Sequence, residues 1–79
     1  MGSFVGKVRD LDVLHFGDKQ IVQCYAVLTP RSGQEIQVIT GELQLQTNLS
    51  FACVLNKEVE VYFNVEETLK RLTRVRILG

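Results

Sequence analysis

The sequence predicts a small, mainly β domain with five strands and one helix, in the order three strands, helix, two strands. Two observations support this prediction. Apolar and polar residues alternate in segments near both ends of the chain, and one segment between them has its apolar residues at helical spacing. The chain has 79 residues, a length that allows one domain with a thin core, so residues 1–79 are expected to form a single domain.

Three strands are predicted before the helix. The first covers residues 4–16, and a change in its apolar parity indicates a bulge near Arg9 and Asp10. The second, residues 21–29, is apolar on both parities, which is typical of a strand covered on two sides. A third, residues 36–40, alternates apolar and polar side chains and ends before a glycine.

Two more strands are predicted after the helix. The segment 57–64, KEVEVYFN, alternates valine or phenylalanine with polar or aromatic residues and gives the clearest two-residue period in the chain. Residues 64–71 are polar, and we expect a loop there, with room for a single helical turn. The last strand is predicted over residues 72–78, LTRVRIL.

The segment from Leu43 to Leu55 allows two interpretations, a long strand or a helix. Its odd positions are mostly apolar, as in a strand, but a thirteen-residue strand would exceed the usual three to ten. The Thr40 hydroxyl can cap a following helix, and Asn56 can take the left-handed conformation that often ends one. We therefore predict a helix over 43–55, in which Leu45, Leu49, Ala52 and Leu55 lie at helical spacing on one face.

This order of elements is that of the OB-fold, a five-stranded barrel with a helix between its third and fourth strands. The segments VGKV at 5–8, LQTNLSFACVLNKEVEV at 45–61 and LTRVRI at 72–77 resemble those of the B subunits of AB5 toxins, the Shiga toxin B subunit among them. The resemblance implies that the chain assembles with itself into a ring of five. The edge strands of neighbouring subunits would pair, and the helix that carries Leu45, Leu49 and Ala52 would line a pore.

Members of this family bind glycolipid sugars, but this chain departs from them at the relevant positions. Where the Shiga toxin subunit has an asparagine, an arginine and a tryptophan against sugar, this sequence has Gly41, Glu42 and Leu43, and it contains no tryptophan. The disulfide of the toxin family, which joins a cysteine near the start of the first strand to one late in the chain, is also absent. Phe4 lies near the first of these positions, and no cysteine follows Cys53. The resemblance thus implies the fold and the ring, with a glycan or a partner protein as the ligand.

Four basic residues lie within seven positions near the C-terminal end of the chain: Lys70, Arg71, Arg74 and Arg76. With aromatic rings such as Tyr25 or Tyr62 nearby, such a strand could bind single-stranded nucleic acid. The alternative is that Arg74 and Arg76 pair across strands with Glu58 and Glu60. The formal net charge of zero favours pairing, because nucleic-acid binders normally carry an excess of positive charge.

No pattern of catalytic or cofactor-binding residues is present, so we expect a non-enzymatic protein without a cofactor or metal. The only histidine, His15, lies in an apolar context and is expected to be a strand-end residue. Cys24 and Cys53 lie in apolar runs without metal-ligand spacing, and buried free thiols are expected. No apolar segment approaches the roughly 20 residues of a membrane-spanning helix.

The first ten residues, MGSFVGKVRD, do not have the pattern of a signal peptide. This favours an intracellular protein unless Met1–Ser3 is a remnant of expression, and the compartment stays open. Three functions remain at this point: a ring-forming OB-fold binding module, a nucleic-acid-binding OB domain, and a purely structural assembly unit.

Overall fold

The chain forms a closed five-stranded β-barrel with one helix in a computed structural model, which describes residues 2–16 and 21–79. The elements are β1 (Gly2–Phe16), β2 (Ile21–Thr29), β3 (Ile36–Thr40), α1 (Leu43–Leu55), β4 (Glu58–Glu66) and β5 (Leu69–Ile77). The predicted fold class, a mainly β OB-fold barrel of five strands with one helix at 43–55, is confirmed.

The strands follow one another around the barrel in the order β1, β2, β3, β5, β4, and β4 returns to β1. Neighbouring strands are antiparallel except for β3 and β5, which run parallel and pair at Ile39 and Arg71. This parallel contact closes the barrel, and it brings the start of β5 next to the end of β3, just before the helix begins.

Strand β1 is long enough to pair with two different neighbours. Its first half, Gly2–Lys7, pairs with β4, and the part from Lys7 onward pairs with β2. The register with β2 shifts between Val8 and Asp10, which confirms the predicted bulge. Because a bulge adds one residue, the core-facing positions of β1 change from even to odd numbers beyond it.

The chain passes very close to itself at Gly6, in the first half of β1. A Cβ atom at this position would lie 2.6 Å from the carbonyl oxygen of Thr29, at the end of β2. That oxygen belongs to the backbone and has little room to move away. Only glycine therefore allows this approach without a shift of one strand.

The core fills the barrel interior and is completed by the inner face of α1. Alternate residues of β2 and β4 supply its largest part, as the period-two pattern predicts. The buried hydrophobic residues of the core cluster are Val8, Cys24, Ala26, Leu28, Val38, Leu45, Leu49, Ala52, Val59, Val61, Phe63, Leu72 and Val75.

Helix α1 begins and ends as the sequence suggests, with one difference. At its end, Asn56 is left-handed (φ 55°, ψ 42°), and the Lys57 amide donates to the Ala52 carbonyl at 2.9 Å. At its start, the Thr40 hydroxyl accepts a hydrogen bond at 3.0 Å from the amide of Glu42. Since Glu42 is itself the N-cap residue, Thr40 orders the approach to the helix and does not cap its first turn.

The prediction of a loop over residues 64–71 was wrong. Strand β4 continues to Glu66 and β5 begins at Leu69, so the two strands form a hairpin with a short turn at residues 67–68. Glu67 takes a left-handed conformation (φ 57°) in this turn. The sequence of this segment suggested a loop because its strand residues extend beyond the core. Both faces of the two strands are polar or exposed there, so the alternation that identifies a strand is lost.

The two cysteines are free, as expected, but only one of them is buried. Cys24 is 1% exposed inside the barrel, whereas Cys53 is exposed on the helix. The expectation of a buried Cys53 was wrong because this position lies to the side of the inner helix face. The side chain of His15 lies outside the described residues, as does Met1. Among the residues that the structure describes, no helix is long and apolar enough to cross a membrane.

Candidate functional site

Helix α1 has an apolar face that the barrel does not cover. None of its 13 residues is charged, although a surface helix usually has a charged face toward solvent. We define the outer helix face by its most exposed apolar residues, Leu43, Phe51, Val54 and Leu55, of which Val54 is 83% exposed. Exposed apolar surface of this kind is typical of interaction sites.

A shallow groove of about 330 Å³ runs along this face. Its lining is uncharged and consists of Gln46, Thr47, Ser50, Phe51 and Val54. The Thr47 hydroxyl donates to the Leu43 carbonyl at 2.9 Å, so this polar group already has a partner within the helix. Small side chains at Thr47 and Ser50 next to the larger Phe51 give a surface that can receive an apolar side chain.

The residues predicted to mark a pore helix lie on the opposite side of α1. Leu45, Leu49 and Ala52 are all buried in the core cluster, whereas Leu55, which was predicted on the same face, is exposed at the end of the helix. Their side chains therefore stabilise the barrel of a single chain and are not available to line a pore. If the helix faces a neighbouring subunit, it does so through the outer helix face.

The predicted basic cluster lies on the surface of β5, where three of its four members have partners. Arg76 pairs with Glu60 on β4 at 3.3 Å, and Arg71 pairs with Glu66 at 2.9 Å. The Arg74 guanidinium lies over the ring of Tyr62, 5.9 Å from its centre. The cross-strand alternative is thus confirmed for Arg76, whereas Arg74 lies opposite the tyrosine and not opposite an acidic residue.

The two candidate tyrosines lie in different rows of the barrel surface. Tyr25 is opposite Ile39 on β3, which in turn pairs with Arg71 on β5. Tyr62 is opposite Arg74, and its hydroxyl donates to Glu60 at 2.8 Å. This hydrogen bond, with a contribution from burial, raises the pKa of Tyr62. Lys70 is opposite Val65 near the hairpin turn, so the structure does not bring all the candidates into one site.

A second groove, which the sequence did not predict, lies between β1, the β2–β3 loop and the start of β4. It has a volume of about 570 Å³. We name it the basic groove, and its lining residues are Lys7, Arg9, Thr29, Pro30, Arg31 and Glu58. These residues come from three separate segments with no shared motif, and only the register of β1 with β2 and β4 brings them together.

Ion pairs hold the acidic residues Glu58, in the lining of the basic groove, and Glu35, beside it. Arg31 binds Glu58 with two hydrogen bonds, Nη2 to Oε1 at 2.6 Å and Nε to Oε2 at 3.0 Å. Glu35 accepts hydrogen bonds from Thr29 Oγ1 at 2.6 Å and Arg9 Nε at 2.5 Å. The Arg31 bonds lower the pKa of Glu58, and the Thr29 and Arg9 bonds lower the pKa of Glu35, so both carboxylates are ionised at neutral pH.

The fold and these surfaces define a small OB-fold barrel with an uncovered helix face and a basic groove. Comparison of the chain with protein-family models finds no match, and comparison with curated protein sequences finds none either. Among the side chains that the structure describes, no group of three or more His, Cys, Asp or Glu residues could hold a metal ion.

Proposed function

We propose that this chain is a non-enzymatic binding module that assembles with copies of itself through the outer helix face. The observation that supports the proposal is the uncharged helix, which buries one apolar side in the barrel and leaves Leu43, Phe51, Val54 and Leu55 exposed on the other. A second copy is a suitable partner because its own outer helix face is equally apolar and places no charge against this one.

The number five is what the resemblance to AB5 toxin B subunits implies. A contact between two such faces covers four exposed side chains on each copy and would contribute roughly 8 to 16 kcal/mol, at about 1 to 2 kcal/mol each. Association costs about 4 to 15 kcal/mol, so the balance for one helix contact is small and further contacts strengthen the assembly. A closed ring gives each subunit two neighbours and can add strand pairing at sheet edges, which favours a ring over a dimer.

The test is the native mass measured by light scattering. We expect a mass near five times the 9.0 kDa of one chain. The substitution Phe51→Glu should reduce this mass to that of a monomer, because it places a charge in the contact. A matched control is Val65→Glu, since Val65 and Phe51 are both 57% exposed and Val65 lies in the β4–β5 hairpin; this variant should keep the mass.

Two results would overturn the proposal. One is a monomer for the unsubstituted chain at concentrations up to about 100 μM, where assemblies with micromolar affinity form. The other is an unchanged multimer for Phe51→Glu. Once a multimer is established, a glycan array with the intact assembly distinguishes a glycan ligand from a partner protein, because only the former would produce binding to sugars.

A second candidate function is the binding of single-stranded nucleic acid, favoured by the stacked pair of Arg74 and Tyr62. Two neighbouring arginines, Arg71 and Arg76, are paired with acidic residues, which weakens their attraction for phosphate. Titration of the chain with an oligonucleotide at low ionic strength tests this function. Absence of binding there would exclude it, because nucleic-acid affinity is highest at low salt.

A further inference from the structure

We propose that the basic groove binds a phosphate monoester carried by a small ligand. The groove shares no residue with the outer helix face or with the basic strand β5. This site is therefore separate from the proposed self-association, and each can be tested without the other.

The first argument concerns the hydrogen-bond donors at the groove. Arg31 uses Nε and Nη2 for Glu58, which leaves Nη1. Arg9 uses Nε for Glu35 and Nη1 for Asp10, which leaves Nη2. Lys7 forms no ion pair with the described residues, so its three donors remain. All three cations thus retain N–H groups for a ligand.

The hydrogen-bond acceptors at the groove, by contrast, are mostly occupied already. Both carboxylate oxygens of Glu58 already accept from Arg31, and Glu35 Oε2 accepts from two donors, Thr29 and Arg9. A ligand with many donors would find few acceptors here. A ligand group that only accepts hydrogen bonds, such as an oxyanion, would find donors on two sides of the groove, from β1 and from the β2–β3 loop.

The number of acceptor oxygens and the size of the groove distinguish a phosphate monoester from a carboxylate. Arg9 and Arg31 already pair with acidic residues, so the N–H groups that remain, and not a net charge, would recognise a ligand. A phosphate monoester has three terminal oxygens, one for each of the three cations that retain N–H groups, whereas a carboxylate has only two oxygens. The volume of about 570 Å³ also exceeds the size of a phosphate, which leaves space for a small group attached to it.

The arrangement of the groove is set before a ligand arrives. The bidentate Arg31–Glu58 pair connects the β2–β3 loop to the start of β4, and Gly6 allows β1 to approach Thr29 closely on the other side. Lys7 is opposite both Thr29 and Glu58 in the two strand pairings. Lys7, Thr29 and Glu58 are therefore held by regular strand pairing, which lowers the cost of ordering them on binding.

The experiment is an NMR titration of the ¹⁵N-labelled chain with glucose 6-phosphate, with glucose and inorganic phosphate in parallel at constant ionic strength. We expect saturable shifts of the amides of Lys7, Thr29 and Arg31 with both phosphates and none with glucose. The Lys7→Gln variant should bind about five- to tenfold more weakly, since it loses charge-assisted hydrogen bonds at an exposed site.

The matched control is Lys70→Gln, which removes the same charge from β5 and should leave the affinity unchanged. Lys7→Gln keeps the Arg31–Glu58 pair, and light scattering of this variant should give the mass of the unsubstituted chain. Three results would overturn the proposal. The first is that neither glucose 6-phosphate nor inorganic phosphate produces saturable shifts, and the second is that Lys7→Gln binds as tightly as the unsubstituted chain. The third is that the amides of β5 shift and those of the groove do not.

Discussion

The inner and outer faces of helix α1 have similar composition but opposite surroundings. The inner face presents Leu45, Leu49 and Ala52 to the barrel, and all three are buried. The outer face presents Leu43 and Val54, which are mostly exposed. Neither face has a charged residue. The comparison shows that hydrophobicity alone does not reveal which side of this helix belongs to the core.

The difference also separates folding from assembly in one element. Burial of the inner face completes the core of the single chain, so its contribution is already present in the monomer. The outer face contributes to stability only when another surface covers it. Substitutions on the two faces should therefore affect different measurements, and the following predictions use this separation.

The largest expected effect is on the inner face, with Leu49→Asp. Leu49 is 0% exposed, so the substitution leaves a cavity and brings an unpaired carboxylate into the core. Together these cost at least about 4 kcal/mol, which is a large part of the stability of a domain this small. We expect an unfolded chain, measured by far-UV circular dichroism and urea denaturation.

Val54→Asp is the control for this prediction, because it introduces the same group on the outer face of the same helix. Val54 is mostly exposed, and we expect a folded barrel whose stability as a monomer changes by less than about 0.5 kcal/mol. A folded Leu49→Asp variant, or an unfolded Val54→Asp variant, would show that the two faces have been assigned the wrong way round.

The thiols of Cys24 and Cys53 provide a second comparison, between a position buried in the barrel and a position exposed to solvent. Cys24 lies inside the barrel, where burial and the nearby Asp12 carboxylate raise the pKa of its thiol. Cys53 is exposed on the helix. A thiol reagent at pH 8 should modify Cys53 in the native chain at least about 100-fold faster than Cys24, whose reaction requires opening of the barrel, an event of about 3 kcal/mol or more.

The variants Cys24→Ser and Cys53→Ser identify which thiol reacts in each phase. Loss of the fast phase in Cys53→Ser is the expected result. If both thiols react at the same rate in the native chain, the barrel around Cys24 is not closed in solution, and the description of the core would have to change.

The smallest expected effect concerns the end of the helix, which both faces share. Asn56 has a left-handed backbone, so Asn56→Ala should destabilise the chain by about 1 kcal/mol and Asn56→Gly should leave its stability nearly unchanged. Urea denaturation of the two variants measures the difference. Equal stability of the alanine and glycine variants would contradict the left-handed helix end.

The sequence predicted the parts of the fold that depend on local pattern. Period-two alternation identified β4, a parity change identified the bulge in β1, and helix-ending Asn56 favoured a helix over 43–55. It failed at residues 64–71, because β4 and β5 extend beyond the core there and lose the alternation that identifies a strand. Burial of Cys53 was also mispredicted, because it was inferred from the apolar neighbours of Cys53 and not from its position relative to Leu45, Leu49 and Ala52, whose spacing indicated the inner face.

The candidate surfaces were less predictable than the fold. The basic residues of β5 were identified from composition, but their partners depend on strand register; Arg74 lies opposite Tyr62 and not opposite an acidic residue. The basic groove combines Lys7, Arg31 and Glu58 from distant positions. No local sequence pattern indicates such a combination, because it exists only after the barrel has closed.

The close approach at Gly6 has a consequence for the evolution of this barrel. Any side chain there would push β1 away from the Thr29 carbonyl, and β1 is the strand that joins β2 to β4. Most core positions accept other apolar residues of similar volume, whereas position 6 tolerates only glycine. Descendants of this chain could therefore exchange much of their interior and still be expected to inherit a glycine at this position.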